Sequence, residues 1–450
     1  MMNPKTRSRG SARSKVSLVA TAALATALMI GTVGCTAASP NSASASQSAA
    51  PMASASAPTN AAMSQEPASG AGSAFIEGGA LDVSSLFTNR DLTQEADVSE
   101  AHYITLSSGE DVQITDEGVY VISGDAQNTT ITVNVSDKDA KVQLVLDNAN
   151  ITNSNAPAIY VISADKVFIT TAANSTNNLT VTGTFTADGE TNTDAVIFSR
   201  DDLVFNGKGV LNISSSDNGV ACKDLIKITG GTLNITSSAD GLEANDGVAI
   251  ADGTVSIKTE KDGINVGDED DDSTGFFYMS GGSLTINAKD QGINAQTVAQ
   301  IDGGTLTFSA EEGIEATYVQ INGGTIDIYA TDDGINAALN STAYDVIIDI
   351  TGGNITIEMA SGDTDALDAN GSILISGGVI DITAQSPFDY DVSGTITGGT
   401  VTVNGQQVTE MTNQMMGGGM QPGTNGQGSG SMDAPNMGSQ GSGNMGGMRR

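Results

Sequence analysis

The chain has 450 residues, with 53 Asp and Glu against 18 Lys and Arg, a formal net charge of −35. That balance excludes nucleic acid as a partner, because phosphate binding needs clustered cations, and self-repulsion on this scale implies partial neutralisation by metal ions. The 54 glycines, 4 % aromatic content and absence of Trp exclude two or three conventional globular cores and indicate a repeat protein built on tight turns.

The N-terminus reads as a targeting segment. Lys5, Arg7, Arg9, Arg13 and Lys15 precede an apolar stretch over 16–33 and then Gly34-Cys35, the order of a secretory signal. The small residues before Cys35 resemble a bacterial lipobox, although Thr32 stands where such boxes usually carry Leu. This predicts a signal peptide over 1–35, lipid attachment at Cys35, and a secreted lipoprotein anchored to the outer face of the cell membrane. An uncleaved transmembrane anchor is the alternative, since the apolar run is near the lower length limit for a span. The other cysteine, Cys222, has no partner for a disulfide framework and reads as a small buried apolar residue. His102 is the single histidine and reads as a loop or cap residue, because metal sites need clusters.

Residues 36–96 are expected to be a flexible linker, its first half almost wholly Ala, Ser, Pro, Asn and Gln. Residues 413–450 form a Gly/Met-rich tail of the same low-complexity kind. Its thioethers suit a soft ion such as Cu(I), but no His or Cys accompanies them.

Between these segments, over 97–412, runs a repeat of two alternating motifs. Gly-Gly-Thr-Leu-x-Ile recurs at 230–235, 281–286, 303–308, 323–328, 352–357, 377–382 and 398–403 with small variations. Asp-Gly-Ile-Asn follows about four residues later, as in Asp240-Gly241-Leu242-Glu243, Asp262-Gly263-Ile264-Asn265, Glu312-Gly313-Ile314-Glu315 and Asp333-Gly334-Ile335-Asn336. With the second glycine as marker the spacings are 22 (231 − 209, 253 − 231, 304 − 282) and 20 (324 − 304), and gaps of 29 (282 − 253, 353 − 324) contain insertions at 267–275 and 338–344. Each repeat holds three short apolar clusters, in one case Leu233/Ile235, Leu242 and Val248/Ile250, separated by glycines that supply φ > 0 turns. Three strands and three turns make one rung of a three-sided parallel β-helix with about 22 residues per rung. The regular part begins near Asp194, and the less regular β-rich segments before it suit a capping role.

Stacking places equivalent residues of adjacent rungs about 4.8 Å apart. The first position of the second motif then forms a column of Asp194, Asn218, Asp240, Asp262, Gln291, Glu312, Asp333 and Asp365. Three residues on, a companion column holds Ile197, Ala221, Glu243, Asn265, Asn294, Glu315, Asn336 and Asp368. Like charges at this separation repel by about 1 kcal/mol in water and more near a protein surface. Calcium accounts for the arrangement, because two oxygens across one ion are about 5 Å apart. The leading cluster is Asp240, Glu243, Asp262 and Asn265, followed by Glu312, Glu315, Asp333 and Asn336, with Asp365 and Asp368 continuing the columns. The competing reading is an Asn and Asp ladder serving turn chemistry alone, which leaves the glutamates at 243, 312 and 315 without a reason. The run Asp268-Glu269-Asp270-Asp271-Asp272 lacks EF-hand spacing and reads either as solvated or as adding ligands beside the first cluster.

With these motifs in place, residues 103–403 resemble a bacterial family of carbohydrate-binding domain proteins. The likeness includes the leader Ile104-Thr105-Leu106 and the segment Gly118-Val119-Tyr120-Val121-Ile122-Ser123-Gly124. It implies a right-handed, pectate-lyase-like parallel β-helix that binds Ca2+ and a polysaccharide, with acidic pectin-type polymers and cellulose as candidates. Charge favours the acidic polymers, held through bridging cations. Phe276, Phe277 and Tyr278 are the one compact aromatic run, open to sugar stacking or to packing. A lyase would need a cationic base, for which Lys261 beside Asp262 is the leading candidate and Lys223 a second; neighbouring carboxylates oppose that role by raising a lysine pKa. A purely structural adhesin or spacer is the third reading, and the chain is expected to be a monomer.

Overall fold

The computed structural model describes residues 81–413 apart from Glu190, Glu269 and Asp363. Cys35 with the expected signal peptide, residues 36–80 of the expected linker, and the tail from 414 onward lie outside the described residues. Within them the chain forms 34 strands and no helix.

Through the middle of the coil each strand pairs with the one three places later, so three strands complete a turn; where a long strand such as Gln291–Ile301 or Glu312–Ile321 runs through a corner it serves two faces, and the pairing falls to two places. Leu225–Ile228 pairs with Gly247–Ile250, Thr232–Ser237 with Thr254–Thr259, and Leu242–Ala244 with Ile264–Val266, all parallel. We call the three resulting faces sheets A, B and C, in that order. The architecture is the expected three-sided parallel β-helix. Its register reproduces the glycine spacing: Leu233 faces Val255, a step of 22 (255 − 233), and Val255 faces Leu284, a step of 29 (284 − 255). Both long insertions leave the coil at the corner between sheets C and A. There they meet, Asp272 Oδ2 accepting from the Thr342 hydroxyl at 2.7 Å. One antiparallel pairing, Thr400–Val403 with Gln406–Val408, ends sheet B.

Alternation within each short strand sends one set of side chains inward. Val255 and Ile257 are buried while Thr254, Ser256 and Lys258 are exposed. Stacking joins these inward residues into one continuous core of Ile, Val and Leu that includes Cys222. Full burial of each such side chain contributes roughly 1.5–3 kcal/mol. On the outer face of sheet B, Asn234 donates to Asn212 and Asn212 to Asn178, both at 2.9 Å, an amide ladder along the axis. His102 opens the first strand, its ring stacked on Tyr120 with centroids 5.1 Å apart.

The two motif glycines have different reasons. The second of each Gly-Gly pair, from Gly231 to Gly399, has positive φ, as expected for a turn. The glycine of Asp-Gly-Ile-Asn does not, and here the turn expectation is corrected. A Cβ on Gly263 or Gly292 would lie 2.5 Å from the carbonyl oxygen of the equivalent glycine in the next rung. Close approach of adjacent rungs is what requires glycine there.

Residues 81–96, within the expected linker, are also ordered against the coil. Residues 81–95 run as a strap along the outer face of sheet A, outside any strand. The Leu81 N–H donates to Gln300 Oε1 at 2.8 Å, and at the other end Gln94 Nε2 donates to the Thr229 carbonyl at 2.8 Å.

Candidate functional site: the acidic face of sheet C

Sheet C brings the two expected columns together on its outer face. The intervening Leu242, Ile264, Ile293, Ile314, Ile335 and Leu367 are fully buried, which turns the companion-column residue after each outward, while the first-column residue stands two places before it at the corner where the strand begins. Glu243 faces Asn265, Gln291 faces Glu312, Glu315 faces Asn336, and Asp333 faces Asp365 across neighbouring strands. The columns run on to Ser386 and Asp389. At the other end the expected register is corrected by one residue. Ala195, not Asp194, faces Asn218, and Phe198, not Ile197, faces Ala221.

Much of the first column is bonded to the backbone of the next rung. Asn218 Oδ1 accepts the N–H of Asp240 at 2.9 Å, Asp240 Oδ1 that of Asp262 at 3.2 Å, and Asp262 Oδ1 that of Gln291 at 2.9 Å. Amides also separate the charges. Asn218 Nδ2 donates to Glu243 Oε2 at 2.6 Å, and Asn265 Nδ2 to Asp240 Oδ2 at 3.2 Å. Lys223 Nζ lies 3.4 Å from Glu243 Oε1, and Lys261 opposes the effect of burial on Asp262. Burial nevertheless pushes the Asp262 carboxyl up to about 6, with the Gln291 N–H opposing and Asp240 adding to the shift. Neighbouring rungs thus bring Asp240, Glu243, Asp262 and Asn265 side by side, with their oxygens largely engaged and two lysines beside them.

The second cluster is differently placed. Ligand oxygens of Glu312, Asp332 and Asp333 lie within 4.8 Å of one another, a spacing that fits one metal ion. Asn336 Nδ2 donates to Glu312 Oε2 at 3.3 Å, while its Oδ1 is buried with no hydrogen-bond partner. Glu315 is held by Gln291 Nε2 at 3.2 Å and by Asn340 Nδ2, from the second insertion, at 2.7 Å. The acidic run touches both regions: Asp272 Oδ2 accepts from Thr342 of that insertion, and Asp268 Oδ2 accepts from Asn245 Nδ2, two residues past Glu243, at 3.1 Å. Burial and then Glu315 push the Glu312 carboxyl up to about 8. Burial, Asp368 and Asp332 push Asp333 up to about 7. In the next rung burial, followed by Asp389 and Asp365, raises Asp368 to about 6. The strongest electrostatic influences on Glu312 and Asp333 are other carboxylates, with no lysine or arginine among them.

Asp332 is the residue that motif reading missed. It precedes Asp333 in the position that Glu311, Asp290 and Lys261 take in earlier rungs, so a third column was available to find it. The aromatic run is also redistributed. Phe277 is fully buried in the core, as the middle residue of an outward–inward–outward strand must be, and has no ring face for a sugar. Tyr278 and Phe276 pack in a separate apolar cluster with Val83, Leu86 and Phe87 of the strap. Lys261, the candidate base, is exposed beside Asp262.

A family described as carbohydrate-binding domain-containing protein matches residues 108–363. The chain belongs to that family. A carbohydrate-binding domain-containing protein of Acetivibrio thermocellus is 36 % identical over 126 residues, which is 27 % of this chain and 44 % of the relative. The match thus spans less than half of that relative's length. Among solved structures, the gadolinium derivative of a polysaccharide lyase-like protein from C. thermocellum is similar at 25 % identity and a TM-score of 0.44, over 58 % of this chain and 98 % of that one. The family match runs through the first cluster and through Glu312, Asp332, Asp333 and Asn336 of the second.

Proposed function

We propose that this family member is an extracellular surface lipoprotein that binds an acidic, pectin-type polysaccharide through calcium held on sheet C. The observation that carries the reading is the second cluster, where three carboxylates converge beside the orphaned, buried Asn336 Oδ1. An oxygen-only donor set with excess negative charge and an amide oxygen lacking a donor fits a hard cation. Glu312, Asp332, Asp333 and Asn336 would hold the ion, and Glu315, fixed by Gln291 and Asn340, stands beside them. Bound calcium supplies positive charge on a face that otherwise repels polyanions. The protein's own part is to keep these oxygens in register between rungs.

Membrane anchoring rests on the signal and lipobox pattern ending at Cys35. Cellulose is the weaker candidate ligand, because Phe277 is internal and Tyr278 is covered by the strap. The test is retention of the full chain on polygalacturonate and on cellulose, with calcium or with chelator. Calcium-dependent retention on polygalacturonate, reduced in Asp333→Asn, is the expected result. Equal retention in chelator, or none with calcium, would sink the reading.

A further inference from the structure

Sheet A differs from the other two faces in what it turns outward. One column along the axis runs Phe168, Val204, Lys227, Ala249, Tyr278 and Gln300, neighbours in register across successive strands. Sheets B and C carry mainly Asn, Thr, Asp and Glu on the corresponding outer positions. An apolar track with lysines in it has to be covered, and the strap covers it.

The strap is fastened at a charge. Asp91 is completely buried, its carboxylate 3.2 Å from Lys166 Nζ and 3.6 Å from Lys227 Nζ. Both ammonium groups are themselves nearly buried, at 10 % and 7 % side-chain exposure. Asp202, 3.8 Å from Lys166, is the other carboxylate of the group. Without Asp91, two cations would face one carboxylate. Within salt-bridge distance the two lysines would then keep Asp202 as their one carboxylate partner. Further along the strap, Phe87 packs on Tyr278 with ring centroids 6.4 Å apart. The strap thus presents a carboxylate to the lysines and apolar groups to Tyr278, while its Arg90 guanidinium covers the Phe168 ring at 4.6 Å. A linear polymer of uronic acids offers both, through its carboxylates and the apolar faces of its rings.

We propose that Lys166 and Lys227 form a second carboxylate-binding site, closed by Asp91 of the strap, and that a carboxylate-bearing polysaccharide takes Asp91's place when the strap lifts. The site needs no metal, which separates it from the calcium reading of sheet C. Because Asp91 is tethered, it competes at high effective concentration, and the closed state dominates until the strap is loosened.

The experiment uses the full chain in chelator, with polygalacturonate and cellulose as the immobilised probes. In Asp91→Asn, proteolysis within 81–95 is expected to accelerate by about tenfold or more, since a buried charge pair has lost one member. The variant is also expected to be retained on polygalacturonate, while the wild type passes through and neither binds cellulose. Adding Lys166→Met and Lys227→Met should abolish that retention. The proposal is overturned if Asp91→Asn is cut at the wild-type rate, if the loosened variant is not retained, or if retention survives loss of both lysines. Should Asp91→Asn fail to fold by circular dichroism, Phe87→Ala loosens the strap without touching the ion pair and is read by the same criteria. Calcium-dependent binding of the wild type can fail or succeed independently of each outcome.

Discussion

Asn336 donates its amide N–H to Glu312 Oε2 at 3.3 Å, one rung back, and leaves its own Oδ1 buried without a partner. The amide thus stabilises one carboxylate of the cluster while its own oxygen stays buried and unsatisfied. Leaving a buried acceptor unmade costs roughly 1–3 kcal/mol. A cation bound between them would remove that cost together with the carboxylate repulsion. Calcium is therefore expected to raise the melting temperature by several degrees, measured by calorimetry, and Asn336→Leu should lose most of that increment. An unchanged melting temperature at saturating calcium would refute it.

The pH dependence follows from the same cluster. Glu312 rises from its ordinary 4.5 to about 8 and Asp333 from 3.8 to about 7. Both bind protons more tightly in the folded chain, so without metal their stabilising contribution is complete below about pH 4 and is lost as pH rises through 7 and 8. In chelator, the melting temperature should fall between about pH 5 and pH 8.5 by this contribution. Calcium should reverse the loss, with a larger effect at the alkaline end, where it no longer competes with protons. A calcium increment that is greater at the acid end would contradict the assignment.

The two acidic clusters should respond differently to loss of charge. Glu243 already has Asn218 and Lys223 as partners, whereas Asp333 is surrounded mainly by carboxylates. Asp333→Asn is expected to weaken calcium binding by about tenfold or more, and Glu243→Gln to change it by less than about threefold. Isothermal titration of both variants separates these values. A larger loss in Glu243→Gln would return the site to the rungs of Asp240 and Asp262.

The columns were legible in the sequence because a parallel stack converts a linear spacing directly into a lateral neighbour. That is why Glu243 and Asn265, 22 residues apart (265 − 243), were expected together and are found paired. Near Asp194 the step is 23 (218 − 195), and the extension of the column slips by one. Whether an acidic oxygen is already occupied was not legible. It depends on cross-rung bonds, such as the Asp262 N–H to Asp240, that no motif records. The strap was also invisible, because residues 81–95 have no period and their contacts lie as far as 219 residues away in sequence. The placement of Phe277 needed only the strand period to be applied to the aromatic run.

Anchoring has a direct test. If Cys35 carries lipid, the wild-type protein should partition into detergent and remain with the membrane fraction of the producing cells, and Cys35→Ser should not. Lipidation supplies about 0.8 kcal/mol per buried CH₂, so the difference between the two should be nearly complete when more than one acyl chain is attached. Membrane retention of Cys35→Ser would instead indicate that the apolar segment over 16–33 remains as an uncleaved span.

The two classes of glycine predict different costs for the same substitution. At Gly292, a Cβ would stand 2.5 Å from the Gly313 carbonyl oxygen and 2.8 Å from the Phe308 ring, so relief would require moving the backbone of one rung away from the next. At Gly109, φ is positive, at 76°, as it is not at Gly292, and no heavy atom lies within 4 Å of the added Cβ. Gly109→Ala should therefore cost only the left-handed backbone term, about 1–2 kcal/mol. Gly292→Ala should cost about 1–3 kcal/mol or more through overpacking. It should also weaken calcium binding, because Gln291 and Glu312 are paired neighbours on the two rungs forced apart. Denaturant titration gives the first comparison and calcium titration the second. If Gly292→Ala is no more destabilising than Gly109→Ala and binds calcium normally, contact between adjacent rungs is not what demands glycine in the Asp-Gly-Ile-Asn motif.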